Sequence, residues 1–145
     1  MILFLIALLH LNANAQSGVI KVRKKVNSSL CLNGYTDGAV QPHLLCGGKG
    51  LYVTNSTRYK VTSFVVLLES VKQVEHLVNG NMLSGDICDD INKLKTGDFI
   101  YINKIKALDN TTGKEVSMPP LRFQVRGMDK SDKKTCYQQL NEDNY

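Results

Sequence analysis

The sequence predicts a mostly β fold, an immunoglobulin-like β-sandwich with one short helix at about residues 84–95. Apolar and polar residues alternate in several short segments, turn residues separate those segments, and one stretch has helical spacing. The chain of 145 residues is long enough for one domain and too short for two ordinary ones. Its charged content of 21% is near that of globular proteins, so most of the chain should fold.

The strand signals are strongest in the second half of the chain. Tyr59–Glu69 is rich in β-branched and aromatic residues, which predicts a central strand. Phe99–Leu108 begins as an apolar run and ends in alternation, which predicts a strand with a bulge near Asn103. Glu115–Met118 is expected to return as a short strand, and Leu121–Val125 alternates cleanly and predicts the last strand.

Weaker signals come from three other segments. Gly18–Val26 alternates and predicts a half-buried strand, and Asn27–Gly50 has many turn residues and predicts a loop or short hairpin region. The segment 71–81 has valines at helical spacing and also an Asn-Gly-Asn turn signal. We interpret it as a strand followed by a turn.

Ser84–Lys95 carries the helical pattern. Ser84 is expected to cap the first turn, Asp86 lies near the positive end of the helix dipole, and Gly97 supplies a left-handed residue that ends the helix. The apolar stripe consists of Ile87, Ile91 and Leu94. A helix of about three turns is not stable alone, so it should pack against the strands and cap one end of the sandwich.

The N-terminal residues 1–15 are expected to be a signal peptide that is cleaved after Ala15. Residues 1–11 are almost entirely apolar, and Ala13 and Ala15 form a small-x-small cleavage pattern, although no Lys or Arg precedes the apolar run. A buried N-terminal helix or strand is the alternative. Cleavage would give an exported protein, periplasmic or extracellular, and Cys31 lies too far on to be a lipid anchor. We expect the β-sandwich in residues 16–126 and a polar flexible tail in 127–145.

The four cysteines are disulfide candidates: Cys31, Cys46, Cys88 and Cys136. They form no C-x-x-C pair and no zinc-ligand spacing. Of the three pairings that four cysteines allow, we favour Cys31–Cys46, which closes a loop of about 15 residues, together with Cys88–Cys136. The alternative is that one or both pairs stay reduced.

Few residues suggest catalysis. His43 lies near Cys46 and invites a comparison with a Cys–His nucleophile, but no orienting Asn or Asp is apparent. The acidic residues of the helix lack the carbonyls and tight glycine loop of a calcium site: Asp86, Asp89 and Asp90. The "GGKG" stretch at 47–50 lacks the Gly-Lys-Ser/Thr ending of a phosphate-binding loop. We therefore expect no catalytic site, no metal and no cofactor. A hydrolase or thiol enzyme is the least favoured hypothesis.

The formal net charge is +5, and one cluster of cations stands out: Lys21, Arg23, Lys24 and Lys25. This patch could bind anionic glycans or lipid head groups. Cations on neighbouring strands could extend it: Lys104, Lys106, Arg122 and Arg126. The plainer interpretation is that solvent-facing lysines prevent strands from pairing edge to edge. Nucleic acid is not expected, because few aromatic residues lie among the cations.

An ordered set of turn and core residues runs from 59 to 126: Tyr59, Val61, Phe64, Gly80, Leu83, Ser84, Gly97, Asp98, Tyr101, Ile105, Ala107, Gly113, Pro120, Leu121, Phe123 and Val125. This set resembles the C-terminal periplasmic domain of the GldM (PorM) family of gliding-motility and type IX secretion proteins. The resemblance covers about half of the chain, and its positions concern fold more than activity.

The resemblance implies a non-enzymatic, immunoglobulin-like protein-interaction module of the bacterial cell envelope. Its partners would be envelope proteins, with type IX secretion or gliding subunits as candidates, and the long periplasmic dimers of larger family members make a homodimer an option. The expected mode is strand addition or contact through a sandwich face. We expect a signal peptide in place of the family's membrane anchor, which argues against a role in motor coupling. The alternative function is a basic secreted protein that binds anionic glycans or lipid head groups.

Overall fold

The computed structural model describes residues 29–54 and 57–127. Within these ranges the elements are β1 Leu30–Leu32, β2 Gly38–Val40, a 3-10 helix Pro42–Leu45, β3 Leu51–Val53, β4 Tyr59–Glu69, β5 Gln73–Asn79, α1 Gly85–Asn92, β6 Phe99–Asp109, β7 Lys114–Ser117 and β8 Leu121–Val125. The prediction of a mostly β sandwich with one short helix is confirmed. The predicted signal peptide 1–15, the strand Gly18–Val26 and nearly all of the tail 127–145 lie outside the described residues.

A six-stranded sheet forms the larger layer, in the order β2-β8-β6-β4-β5, with β7 paired to the second half of β6. All neighbours in this sheet are antiparallel except β2 and β8, which run parallel. The segment Asn27–Gly50, predicted as a loop or short hairpin region, contains β1, β2 and the 3-10 helix. β1 pairs with β3 in a separate two-stranded sheet.

The core lies between the six-stranded sheet and a second layer made of β1, β3, the 3-10 helix and α1. Alternate residues of β4, β6 and β8 point into it, because successive side chains of a strand face opposite sides of the sheet. The largest fully buried side chains include Phe64, Phe123, Leu32, Leu45, Leu51, Ile91, Ile100, Ile102 and Ile105. Burial of this apolar set is the main force that holds the two layers together.

The predicted β-bulge near Asn103 is confirmed. Val65 pairs with Asn103 and Ser63 pairs with Lys106, so two residues of β6 face one residue of β4. Lys104 has a positive φ of 49° at this point. The extra residue changes which face the next side chains occupy, so that Ile105 is buried on the same side as Ile102.

α1 is shorter than predicted, and its start differs from the prediction in one detail. Ser84 occupies the N-cap with extended backbone angles, but its side chain makes no capping hydrogen bond; its carbonyl accepts the Cys88 N–H at 3.0 Å. The helix ends at Asn92 because the next amides bond to carbonyls three residues back, which tightens the turn. Ile87 and Ile91 are buried, and Leu94 packs against the core from the turn that follows.

Cys46 and Cys88 form a disulfide, with their Cα atoms 5.8 Å apart. The predicted pairings Cys31–Cys46 and Cys88–Cys136 are therefore wrong. The physical reason is the packing of the 3-10 helix against α1, which places Cys46 beside the helix. Cys31 lies on β1, is fully buried and is also disulfide-bonded.

Candidate interaction surface

Apolar and aromatic residues predominate among the side chains of the six-stranded sheet that point away from the core, and the charged Glu75 lies beside Leu67. We call the following set the outer face: Val65, Leu67, Leu77, Phe99, Tyr101, Asn103, Arg122 and Gln124. Register places Leu67 beside Tyr101 and Tyr101 beside Arg122, while Val65 lies beside Leu77. Side chains from four strands thus form continuous rows across the sheet. A surface of this composition resembles the cores of protein interfaces, which are enriched in Tyr, Phe and Arg.

Arg122, Phe99 and Tyr101 form the most ordered part of the outer face. The guanidinium carbon of Arg122 lies 4.3 Å from the Phe99 ring centroid and 6.0 Å from that of Tyr101. The two rings have centroids 6.1 Å apart and are tilted by 32°. The guanidinium is thereby held against an aromatic platform by cation–π attraction.

These residues line an open cleft of about 580 Å³ near the β2 edge of the sheet. Ala39, Pro120 and Phe99 contribute apolar surface, and Asn103 and Gln124 contribute side-chain amides. Asp37 lies at the rim, where its Oδ1 accepts the backbone N–H of Arg122 at 2.6 Å. This hydrogen bond from a backbone amide to a side chain ties the start of β8 to the loop before β2, which joins two walls of the cleft.

The cations that the sequence suggested as an extension of the basic patch differ in whether they form ion pairs. Lys104 pairs with Glu75 at 3.7 Å, and Lys106 pairs with Glu115 at 2.9 Å, so these two charges are balanced locally. Among the described residues no carboxylate forms an ion pair with Arg122. The cluster Lys21, Arg23, Lys24 and Lys25 lies outside the described residues, and its role in binding polyanions stays a prediction.

Among the described strands β5 pairs only with β4 and so forms one edge of the six-stranded sheet, and its one carboxylate, Glu75, is paired with Lys104. The strand is seven residues long, contains neither proline nor lysine, and pairs with β4 without a register shift. Leu77 is 68% exposed and Val74 is 39% exposed. Natural edge strands are usually protected by charge, proline or bulges, so an open edge of this length suggests strand addition.

His43 and Cys46, which the sequence suggested as a Cys–His pair, lie close together, and the Cys46 N–H donates to the His43 carbonyl at 3.3 Å. The sulfur of Cys46 is bonded to Cys88, so it offers no thiolate for the exposed His43 to activate. Asp90 accepts a hydrogen bond from the Lys93 ammonium at 2.8 Å, which holds the pKa of that carboxyl below its ordinary value. The described part of the chain brings no group of three or more metal-ligating side chains together.

Sequence reasoning missed the cluster around Arg122. It named Arg122 as one of several cations and Tyr101 as a position of the resemblance, but it did not bring them together. The available signal was the alternation in Leu121–Val125, which places Arg122 away from the core, together with the bulge predicted near Asn103, which puts Tyr101 on the face opposite to Ile105. The contact itself depends on the register between β6 and β8, which pairs Tyr101 with Arg122.

Comparison with known families supports the resemblance seen in the sequence. A family model described as the GldM C-terminal domain matches residues 54–126, just over half of the chain. A search of curated proteins finds no match. In the parts of the chain that the structure describes, no helix has the length and apolar character needed to cross a bilayer.

Proposed function

This chain belongs to the GldM C-terminal domain family, and from that premise we propose that it is a non-enzymatic protein-interaction module of the bacterial cell envelope. In this proposal it acts in gliding motility or type IX secretion, in the periplasm or outside the cell, after a signal peptide is removed behind Ala15. Its partners are other envelope proteins, among them secretion or gliding subunits, and a second copy of the chain is an additional candidate.

The observation that supports this function best is the edge of β5 that no other described strand covers. A partner strand that pairs with Gln73–Asn79 would extend a sheet whose core is already packed, so the domain itself need not rearrange. Leu77 on the outer face and Val74 on the inner face would contact alternate side chains of the incoming strand. Backbone hydrogen bonds supply affinity in this mode, and the side-chain contacts supply selectivity.

The experiment uses the tagged full chain expressed in a type IX-secreting bacterium, with cross-linking, affinity purification and mass spectrometry. We expect secretion or gliding subunits to be recovered. Leu77→Lys places a charge on the β5 edge and should reduce their recovery about tenfold, because lysine on an edge opposes strand addition. Thr111→Lys adds the same charge in an exposed turn and should leave recovery unchanged.

Both variants should keep the denaturation midpoint of the parent chain, because both positions are exposed. A purification that recovers no secretion or gliding subunit with the parent chain would contradict the proposed function. If Leu77→Lys recovers the same amount of these subunits as the parent chain, the proposed partners stand and β5 is not the edge to which they bind.

A further inference from the structure

We propose that the cleft around Arg122 recognises a carboxylate on an extended, partly apolar segment of a partner protein. This inference rests on the proposed function in one respect, namely that the partner is a protein. The site differs from the β5 edge: β5 lies at one end of the sheet, whereas the cleft lies at β8 and β2, at the other end.

The geometry of Arg122 favours a carboxylate as the group recognised. A guanidinium stacked on a ring uses its π face for that contact and keeps its in-plane N–H groups available for a planar, bidentate acceptor. Phe99 at 4.3 Å provides this stacking and restricts the side chain before any ligand arrives. Less conformational entropy is then lost on binding than with an unsupported arginine.

Charge complementarity points the same way. Arg122 is the cation among the described residues that line the cleft, and the amide side chains of Asn103 and Gln124 are neutral. The anion at the rim, Asp37, directs its Oδ1 to the backbone N–H of Arg122. The cleft therefore presents a positive group whose charge no described ion pair neutralises, and an acidic ligand group is its complement.

The apolar lining favours a peptide over a free anion or a glycan. Ala39 and Pro120 line the same cleft as Phe99 and Arg122 and would contact methyl or larger side chains beside the carboxylate. An extended peptide places alternate side chains on one face, so one acidic residue can reach Arg122 while neighbours two positions away lie on the apolar walls. Inorganic phosphate would use the charge but would gain nothing from these walls.

The probe is an acetylated and amidated hexapeptide with valine at positions 2 and 6, glutamate at position 4 and threonine at positions 1, 3 and 5, so that the valines share the face of the glutamate. A second peptide carries glutamine instead. Each is titrated into the folded, oxidised full chain, and binding is followed by amide chemical shifts in NMR spectra. We expect the glutamate peptide to shift the signals of Phe99, Tyr101 and Arg122 and to bind at least about tenfold more tightly than the glutamine peptide.

Variants then separate charge from stacking. Arg122→Gln should abolish the preference for glutamate, and Arg122→Lys should retain only part of it, because lysine keeps the charge and loses the planar fork. Lys114→Gln removes one exposed positive charge on β7 and serves as the matched control, with unchanged binding expected. Arg122 is exposed, so its variants should fold.

Equal affinity for the glutamate and glutamine peptides would overturn the inference, as would a response to inorganic phosphate as strong as the response to the peptide. Its failure is distinct from that of the proposed function. Charge-independent peptide binding rejects the carboxylate site even if Leu77→Lys abolishes recovery of secretion subunits. Absence of those subunits rejects the function even if Arg122 binds the glutamate peptide as expected.

Discussion

Arg58 and Asp109 form a two-point ion pair that joins the start of β4 to the end of β6. Arg58 Nε lies 2.9 Å from Asp109 Oδ1, and Arg58 Nη2 lies 2.6 Å from Oδ2. The Asp109 side chain is only 4% exposed, and its Oδ1 also accepts the Thr111 N–H at 2.9 Å. The pair therefore fixes both the register of the central strands and the turn that leads to β7.

Asp109 should make the stability of the domain depend on pH in the acid range. The hydrogen bond from Arg58 holds the pKa of this carboxyl far below its ordinary value. A depressed pKa contributes stability above the unfolded pKa of about 4, and this contribution is lost as the pH falls below that value. Urea denaturation should show a midpoint that declines between about pH 4 and pH 2.

Asp109→Asn should lower the denaturation midpoint at neutral pH and flatten this acid dependence, because an amide does not titrate in this range and forms no ion pair with Arg58. Asp86→Asn, at an exposed carboxyl in the first turn of α1, serves as the control and should retain the acid dependence. An unchanged pH profile in Asp109→Asn would show that the ion pair does not control acid stability.

The Cys46–Cys88 disulfide should be a large contributor to stability. It joins residues 42 positions apart, and the chain-entropy model assigns a bridge of that span about 4 kcal/mol. The double variant Cys46→Ser/Cys88→Ser should therefore unfold at a much lower urea concentration than the parent chain. A midpoint equal to that of the parent chain would show that the bridge constrains little.

The cysteine pairing can be mapped directly. Trypsin alone leaves Cys31 and Cys46 on one peptide, so a second digestion at Asp37 is needed to separate them. Mass spectrometry without reduction should then find Cys46 linked to Cys88. Cys31 is also disulfide-bonded, so the same digest should show it on a second cross-linked peptide. A peptide that links Cys31 to Cys46 would contradict this assignment.

Substitution by alanine should lower the stability of the domain at Gly50 but not at Gly85. Gly50 has a φ of +68°, and a Cβ there would meet the carbonyl oxygen of Asn81, which accepts the Leu51 N–H. Gly50→Ala should cost about 1–3 kcal/mol. Gly85 opens α1 with free space around it, so Gly85→Ala should be neutral or stabilise by up to about 1 kcal/mol. Thermal denaturation of both variants tests this difference, and equal shifts in their melting temperatures would contradict the prediction.

Ile91 should be the most sensitive position of α1. It is fully buried against the strands, so Ile91→Ala removes packed methyl groups and should destabilise by about 2–5 kcal/mol. Asn92→Ala changes an exposed neighbour on the same helix and should have little effect. A loss below about 1 kcal/mol for Ile91→Ala would mean that the helix does not depend on this contact.

Much of the local structure follows from residue pattern alone. The β-branched and aromatic content of Tyr59–Glu69 and the alternation in Leu121–Val125 predict those strands with the bounds that the structure has. The change of phase around Asn103 likewise requires an extra residue if Ile102 and Ile105 are both to be buried. These features depend on neighbours in the chain.

Other features depend on contacts between distant segments, and only the tertiary structure decided them. β2 pairs with β8 although some 80 residues separate them, Cys46 reaches Cys88 because the 3-10 helix packs on α1, and Arg122 stacks on Phe99 because β6 and β8 adopt one register. The pattern of apolar and polar residues within a segment predicts which face of the sheet a side chain occupies. Which side chain lies opposite it is set by the packing of the whole core, where each choice of register buries a different set of apolar groups.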